Sequence, residues 1–253
     1  MNREILRTLD TTQVPVQRLI SLLETFGIKH AAKALPDLLE KADQNDLTHK
    51  QFLLACLETE VGGRNARRRK RNLSAAHFPP NVKALEEFDP LELKEGITLS
   101  QIERLKELSW LDNRGNIVFA GPPGLGKTMV ACGLGLHAIN AGYTVCFEKM
   151  VNLVKLLDTA DTERTSGFRV KNLKKAQLII IDEIGYTPIT RAQANRFFTF
   201  ISDTYETSSI IFTTNKQISD WAEMMGDPVL TTAMLDRILH HANCFSFRGE
   251  SYR

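Results

Sequence analysis

The 253-residue chain lacks several features that would set its class at once. No apolar run approaches the roughly 18 residues needed to span a bilayer. The opening residues, Met1 to Leu6, have no long apolar core of a secretory signal, so the protein is expected in the cytoplasm and away from membranes. There are only four cysteines, Cys56, Cys132, Cys146 and Cys244, scattered and never in a C-x-x-C pair. That spacing argues against a disulfide framework or a zinc site and favours buried free thiols. The six histidines show no ligand spacing, and the adjacent His240 and His241 read as helix surface. Internal repeats and low-complexity segments are missing as well. With 43% apolar and 25% charged residues, neither disorder nor a fibre is indicated. The net charge of +2 is small but uneven, because residues 1–80 carry 13 Lys and Arg against 9 Asp and Glu. An amino-terminal contact with a polyanion is a natural consequence.

What is present is a phosphate cradle. Gly121, Pro122, Pro123, Gly124, Leu125, Gly126, Lys127 and Thr128 follow an apolar run at 117–120 and precede a helical segment at 129–141. In this eight-residue pattern the glycines let consecutive N–H groups turn toward one anion. Lys127 reaches the terminal phosphates, and the Thr128 hydroxyl is placed to hold Mg²⁺. The helix that follows adds the positive end of its dipole. An ordinary Gly-Pro turn is the bland alternative, and the full match in a strand-loop-helix setting disfavours it.

Up to about residue 77 the apolar spacing is helical. Val16, Leu19, Ile20, Leu22, Leu23 and Phe26 form one amphipathic stretch, and Ala31, Ala34, Leu35, Leu38 and Leu39 form a second that Pro36 is expected to bend or restart. A third begins at a capping box of Thr48 and Gln51. If it continues through Gly62 and Gly63, Arg64, Arg67, Arg68 and Arg71 share one face, a DNA-backbone surface or a solvated basic face. The glycine pair costs about 2 kcal/mol relative to alanines, so a kink or break is expected there.

Phe78-Pro79-Pro80 marks a boundary, with residues 78–96 as a linker between a helical domain (1–77) and an α/β domain (97–253). Ser100 and Glu103 suggest a capping box for a helix to about residue 108. Beyond the phosphate loop, strands are expected at 143–149, 178–181, 209–214 and 243–247. Helices are expected at 150–159, 192–205 and 228–241. This alternation predicts a parallel sheet covered on both faces.

Asp182 and Glu183 end the apolar strand at 178–181. A carboxylate at that point, beside the phosphate-loop strand, suits Asp182 as the Mg²⁺-side acid. Glu183 would polarise a water for attack on a γ-phosphate, a role a kinase would not need. Asn215, at the end of the strand 209–214, either orients that water or the γ-phosphate, or caps the next helix.

Taken together, Gly121 to Thr128, Asp182-Glu183 and Asn215 resemble the Walker A, Walker B and sensor 1 motifs of an AAA+ ATPase. Three further segments narrow the resemblance to the IstB family of transposition helper ATPases, close to DnaC-type helicase loaders. They are Asp182-Glu183-Ile184-Gly185-Tyr186, the segment from Ala233 to Ala242, and Gly249 to Arg253. The resemblance implies a P-loop AAA+ core that uses ATP and Mg²⁺, binds double-stranded DNA, assembles as a homo-oligomer with ATP between subunits, and recruits and stimulates a cognate transposase. Helicase loading is the alternative. It also implies that Arg237 serves as an arginine finger, against a simple pair with Asp236 or a helix-surface role. A helical insertion facing DNA is implied before Walker B, where Arg164, Arg169, Lys171, Lys174 and Lys175 fall. With Arg253 following the last strand, no carboxyl-terminal helical lid is expected, and Arg253 becomes a minor candidate for nucleotide contact. A small-molecule kinase and a barely hydrolysing DNA clamp are the competing classes.

Overall fold

A computed structural model describes residues 15–90 and 93–249. Arg253 and the rest of the terminal motif beyond Gly249 lie outside the described residues. The chain divides into two compact units between Lys70 and Arg71.

The first unit is helical. Helix α1 spans Val16–Thr25, α2 spans Lys29–Gln44 and α3 spans His49–Ala76, running on past the division. Pro36 sits inside α2 and does not restart it. The expected box at the start of α3 is formed: Gln51 Oε1 accepts from the Thr48 N–H at 2.9 Å, and the Gln51 N–H donates to the Thr48 hydroxyl at 3.4 Å. The break expected at Gly62-Gly63 does not occur. A Cβ on Gly63 would stand 2.2 Å from the His30 ring, so glycine there lets α2 and α3 approach closely. One turn earlier, the buried Glu60 carboxylate accepts from the N–H groups of His30 (2.7 Å) and Ala31 (3.1 Å) at the start of α2, which has no cap of its own. Closing those orphan donors and packing on α2 outweigh the intrinsic cost of two helical glycines.

In the second unit a three-residue strand β1, Leu93–Glu95, precedes helix α4, Leu99–Lys106, and the short α5, Ser109–Asp112. The cap of α4 is Thr98 with Gln101, two residues ahead of the expected Ser100 and Glu103. The alternation then follows: β2 (Asn116–Ala120), α6 (Lys127–Ala141), β3 (Val145–Lys149), α7 (Met150–Thr159), α8 (Arg164–Lys175), β4 (Leu178–Ile184) and α9 (Arg191–Thr204). It closes with β5 (Ser209–Thr214), α10 (Trp221–Met225), α11 (Pro228–Leu239), β6 (Ala242–Ser246) and β7 (Arg248–Gly249). β7 pairs antiparallel with β1. The other five strands form one parallel sheet in the order β3-β4-β5-β2-β6.

Successive residues of a strand point to opposite faces, and both faces here are apolar. Ile117, Phe119, Phe147, Ile180 and Ile211 pack toward α4, α5 and α6. Val118, Ile179, Ile181, Ile210 and Phe212 pack toward α7 to α11. The stretch expected to be a linker feeds the first of these cores with buried Leu85 and Phe88, and Ile97 follows. Of the cysteines, Cys132 and Cys146 are buried, Cys56 is half-buried, and Cys244 is exposed because β6 is an edge strand. Among the described residues, no helix is long and apolar enough to cross a membrane.

Candidate functional site

The strand order brings the sequence-predicted residues to one end of the sheet. β2 lies between β5 and β6, so β4, expected beside the phosphate-loop strand, is separated from it by β5, and the loop after β2 reaches the end of β4 across the end of β5. That loop enters α6 through Gly126, which takes φ +81° as the helix N-cap. A Cβ at this position would lie 2.6 Å from the Phe88 ring, so both backbone and packing require glycine.

Within the loop the Lys127 ammonium donates to the carbonyls of Gly121 (2.7 Å) and Pro122 (2.6 Å). Burial pushes its pKa down, and the nearby Asp182 carboxylate opposes that shift. A desolvated cation at a helix N-terminus is the environment an added polyphosphate would complement. The Thr128 hydroxyl donates to Asp182 Oδ1 at 2.7 Å. Asp182 is only 2% exposed, and the same Oδ1 accepts from the Thr213 hydroxyl. A hydroxyl and a carboxylate this close are hard oxygen donors of the kind that share a divalent cation, so the residues fit Mg²⁺.

Glu183 follows with φ +63°, unusual for a residue bearing a side chain. That turn takes it out of the strand's alternation and leaves the side chain half-exposed, where it pairs with Lys149 Nζ at 2.9 Å. The hydrogen bond to Glu183 raises the Lys149 pKa, against a smaller desolvation. Glu183, Asn215, Tyr186, Thr213, Thr214 and loop residues 123–129 together line a cleft of about 280 Å³. Asn215 therefore belongs to the cleft. It is not a helix cap, because the next helical turn, Ile218–Asp220, starts after Gln217.

Arg237 is not brought into this cleft. It sits in the last turn of α11, with its guanidinium 4.9 Å from the centre of the Phe198 ring and its Nη1 on the Ala233 carbonyl at 2.9 Å. Those contacts replace the Asp236 pair weighed from the sequence. Asn116 locks this turn to the sheet, donating to the Ile238 carbonyl while accepting from the Ile210 N–H, both at 2.9 Å.

The candidate DNA contacts separate into two groups. Arg67, Arg68 and Arg71 are exposed on α3, whereas Arg64 pairs with Glu60 at 2.6 Å and donates to the Gly27 carbonyl at 3.0 Å. Arg169 is a correction: it is largely buried and turned onto protein partners. Its guanidinium donates to Glu148 (2.8 Å), to the Phe147 carbonyl (2.8 Å) and to the Ala75 carbonyl near the end of α3 (3.1 Å). The outward face of α8 instead carries Arg164, Phe168, Lys171 and Lys175, all exposed and recurring at helical spacing. Lys174 pairs with Asp203 at 2.7 Å.

Residues 21–253 match the family described as IstB-like ATP binding protein. A Pseudomonas aeruginosa protein, named as an ATP-binding protein of insertion sequence IS21, is 39% identical over 232 residues, covering 92% of this chain and 87% of its own. The chain belongs to the IstB-like ATP-binding family. A Geobacillus stearothermophilus relative, named for insertion sequence IS5376, is 37% identical over 216 residues and 85% of each chain. Among solved structures, the IstB-like chain is similar to DnaI (TM-score 0.56, 15% identity, 70% of this chain and 95% of that one). It is also similar to the DnaC helicase loader (TM-score 0.53, 18% identity, 67% and 98%). At such identities the likeness is one of fold alone, a parallel sheet flanked by helices.

Sequence reasoning on the IstB-like chain missed Lys149, Thr213 and Phe168, and named Tyr186 without giving it a role. Thr213 and Thr214 had left a signal, being two hydroxyls directly after the apolar run Ile210-Ile211-Phe212. Lys149 had left none, because its partner is 34 residues away.

Proposed function

We propose that this protein is an ATP-hydrolysing, DNA-binding regulator that assembles on double-stranded DNA and recruits and stimulates the transposase of its insertion sequence. The observation that carries the reading is the convergence of Lys127, Thr128, Glu183 and Asn215 on one cleft, with the buried Asp182 hydrogen-bonded to Thr128 at its floor, in a chain whose relatives are named for insertion sequences.

In this reading Lys127 holds the terminal phosphates, and Thr128 with Asp182 would hold Mg²⁺. The bound cation supplies neutralisation of phosphate charge. Glu183 takes the proton of an attacking water, Asn215 orients that water, the bond from γ-phosphorus to the bridging oxygen breaks, and ADP and phosphate leave. Arg237, lying outside its own cleft, serves the nucleotide of a neighbouring subunit. A guanidinium delivered in trans neutralises the developing charge and couples hydrolysis to assembly. Exposed cations on α3 and α8 follow the DNA backbone, with shape rather than base edges being read.

Light scattering with duplex DNA and Mg-ATP tests this. The wild-type protein is expected to assemble, Lys127→Ala to stay dispersed, and the purified transposase to be stimulated only by the assembling form. Normal assembly by Lys127→Ala, or stimulation of a replicative helicase in place of the transposase, would contradict the reading.

A further inference from the structure

One polar side chain in the cleft has a place that no motif explains. Thr213 is 2% exposed, near the end of β5, and its hydroxyl serves both carboxylate residues of β4. It donates to Asp182 Oδ1, the atom that also accepts from Thr128, and it accepts from the Glu183 N–H at 3.0 Å. The surrounding geometry shows why a side chain is needed there. The β4–β5 register breaks between Ile181 and Ile184, so Asp182 and Glu183 fall outside the regular ladder. Thr214 closes the far side of the break by donating to the Ile184 carbonyl at 2.9 Å. Glu183, meanwhile, holds a left-handed backbone, a state that persists only where neighbouring contacts determine it.

We propose that Thr213 is a positioning residue for both halves of the hydrolytic site: it fixes the rotamer of the metal-side Asp182 and the backbone turn that aims Glu183. The proposal rests on the hydrolytic reading above and assigns to one hydroxyl the registration of metal ligand against general base. Groups that orient a metal ligand without touching the metal commonly change affinity or activity 10- to 100-fold when removed. Valine is the informative replacement, because it keeps the shape and the strand preference of threonine while deleting donor and acceptor together.

Two readouts separate this role from plain packing. The first is the Mg²⁺ concentration at half-maximal binding of a fluorescent ATP analogue, which needs no turnover. The second is kcat at saturating Mg²⁺ and ATP. Thr213→Val is expected to raise the Mg²⁺ midpoint by about tenfold and lower kcat by about 10- to 100-fold, with Thr213→Ser restoring both. Thr213→Cys, a weaker donor of similar size, should fall between and keeps the series readable if valine folds poorly. Glu183→Gln serves as the reference, losing turnover with an unchanged Mg²⁺ midpoint. A Thr213→Val protein with wild-type midpoint and kcat, beside an inactive Glu183→Gln, would overturn the role of Thr213 alone. An active Glu183→Gln would instead overturn the hydrolytic reading, leaving the Mg²⁺ midpoint of Thr213→Val to decide the Asp182 half.

Discussion

Replacing Arg169 with methionine should destabilise the second unit severely while leaving the electrostatics of DNA binding alone. The Arg169 and Glu148 side chains are 10% and 13% exposed, so removing the guanidinium strands a largely buried carboxylate. Breaking a buried pair from one side costs about 3 to 5 kcal/mol. The Phe147 and Ala75 carbonyls lose a donor in the same step, a loss that overlaps with the first and does not simply add. Against a total stability of about 5 to 15 kcal/mol for a domain, such a change is large. Urea unfolding followed by fluorescence is the assay. With a slope of about 2 kcal/mol per molar, the midpoint should fall by roughly 2 M at unchanged slope. Replacing Glu148 with leucine in the same protein should recover much of the loss, since an apolar pair of similar volume tolerates burial better than a lone charge. The reasoning is refuted if Arg169→Met unfolds within about 1 kcal/mol of wild type and instead lowers the salt dependence of DNA binding by about one counterion.

The exposed cations of α8 should behave in the opposite way. Lys171→Ala with Lys175→Ala is expected to keep the urea midpoint and to reduce the log–log salt slope of DNA binding by about 2, as titrations between low and moderate salt would show. Glu60 supplies a pH dependence. Burial pushes its carboxyl up, but the Arg64 guanidinium and the N–H groups of Ala31 and His30 outweigh that and hold it below the usual carboxylate range. A carboxyl depressed in the folded state contributes stability above its unfolded value, near pH 4, and loses it as pH falls through the lower folded value. Thermal melts of wild type should therefore drop in that acid window more steeply than melts of Glu60→Gln. Lys149→Met should change stability by less than about 1 kcal/mol, because both partners are nearly half-exposed. By freeing Glu183 it should also raise turnover measured without DNA, and an unchanged basal rate would count against the pair as a restraint.

Much of the second unit was legible because local signals agreed there. The phosphate loop, the helix Met150–Thr159 and the strand Ser209–Thr214 follow from turn chemistry and apolar period alone. What was not legible depended on partners distant in sequence. Gly62 and Gly63 carry a local breaking signal, yet α3 continues because His30 and Glu60 meet across the helix pair. Arg169 looked like its basic neighbours, and only the fold reveals that it faces inward, toward Glu148 and the end of α3. The cap of α4 was misplaced by two residues because Thr98 and Gln101 compete with the equally plausible Ser100 and Glu103. At the site, motif pattern and strand-end position named the loop, Asp182, Glu183 and Asn215. The hydroxyl and ammonium that restrain the two carboxylates came from other strands, and strand order decides which strands those are.

The claim on which the rest depends is that one nucleotide is served by two copies of the chain, Glu183 from one and Arg237 from the next. Mixing Glu183→Gln with Arg237→Ala and measuring ATP turnover on duplex DNA tests it most directly. Each variant alone is expected to be inactive, and the mixture to regain turnover well above either, since some interfaces then join an intact Glu183 to an intact Arg237. A mixture no more active than its parents, or an Arg237→Ala protein that hydrolyses ATP normally by itself, would contradict the account.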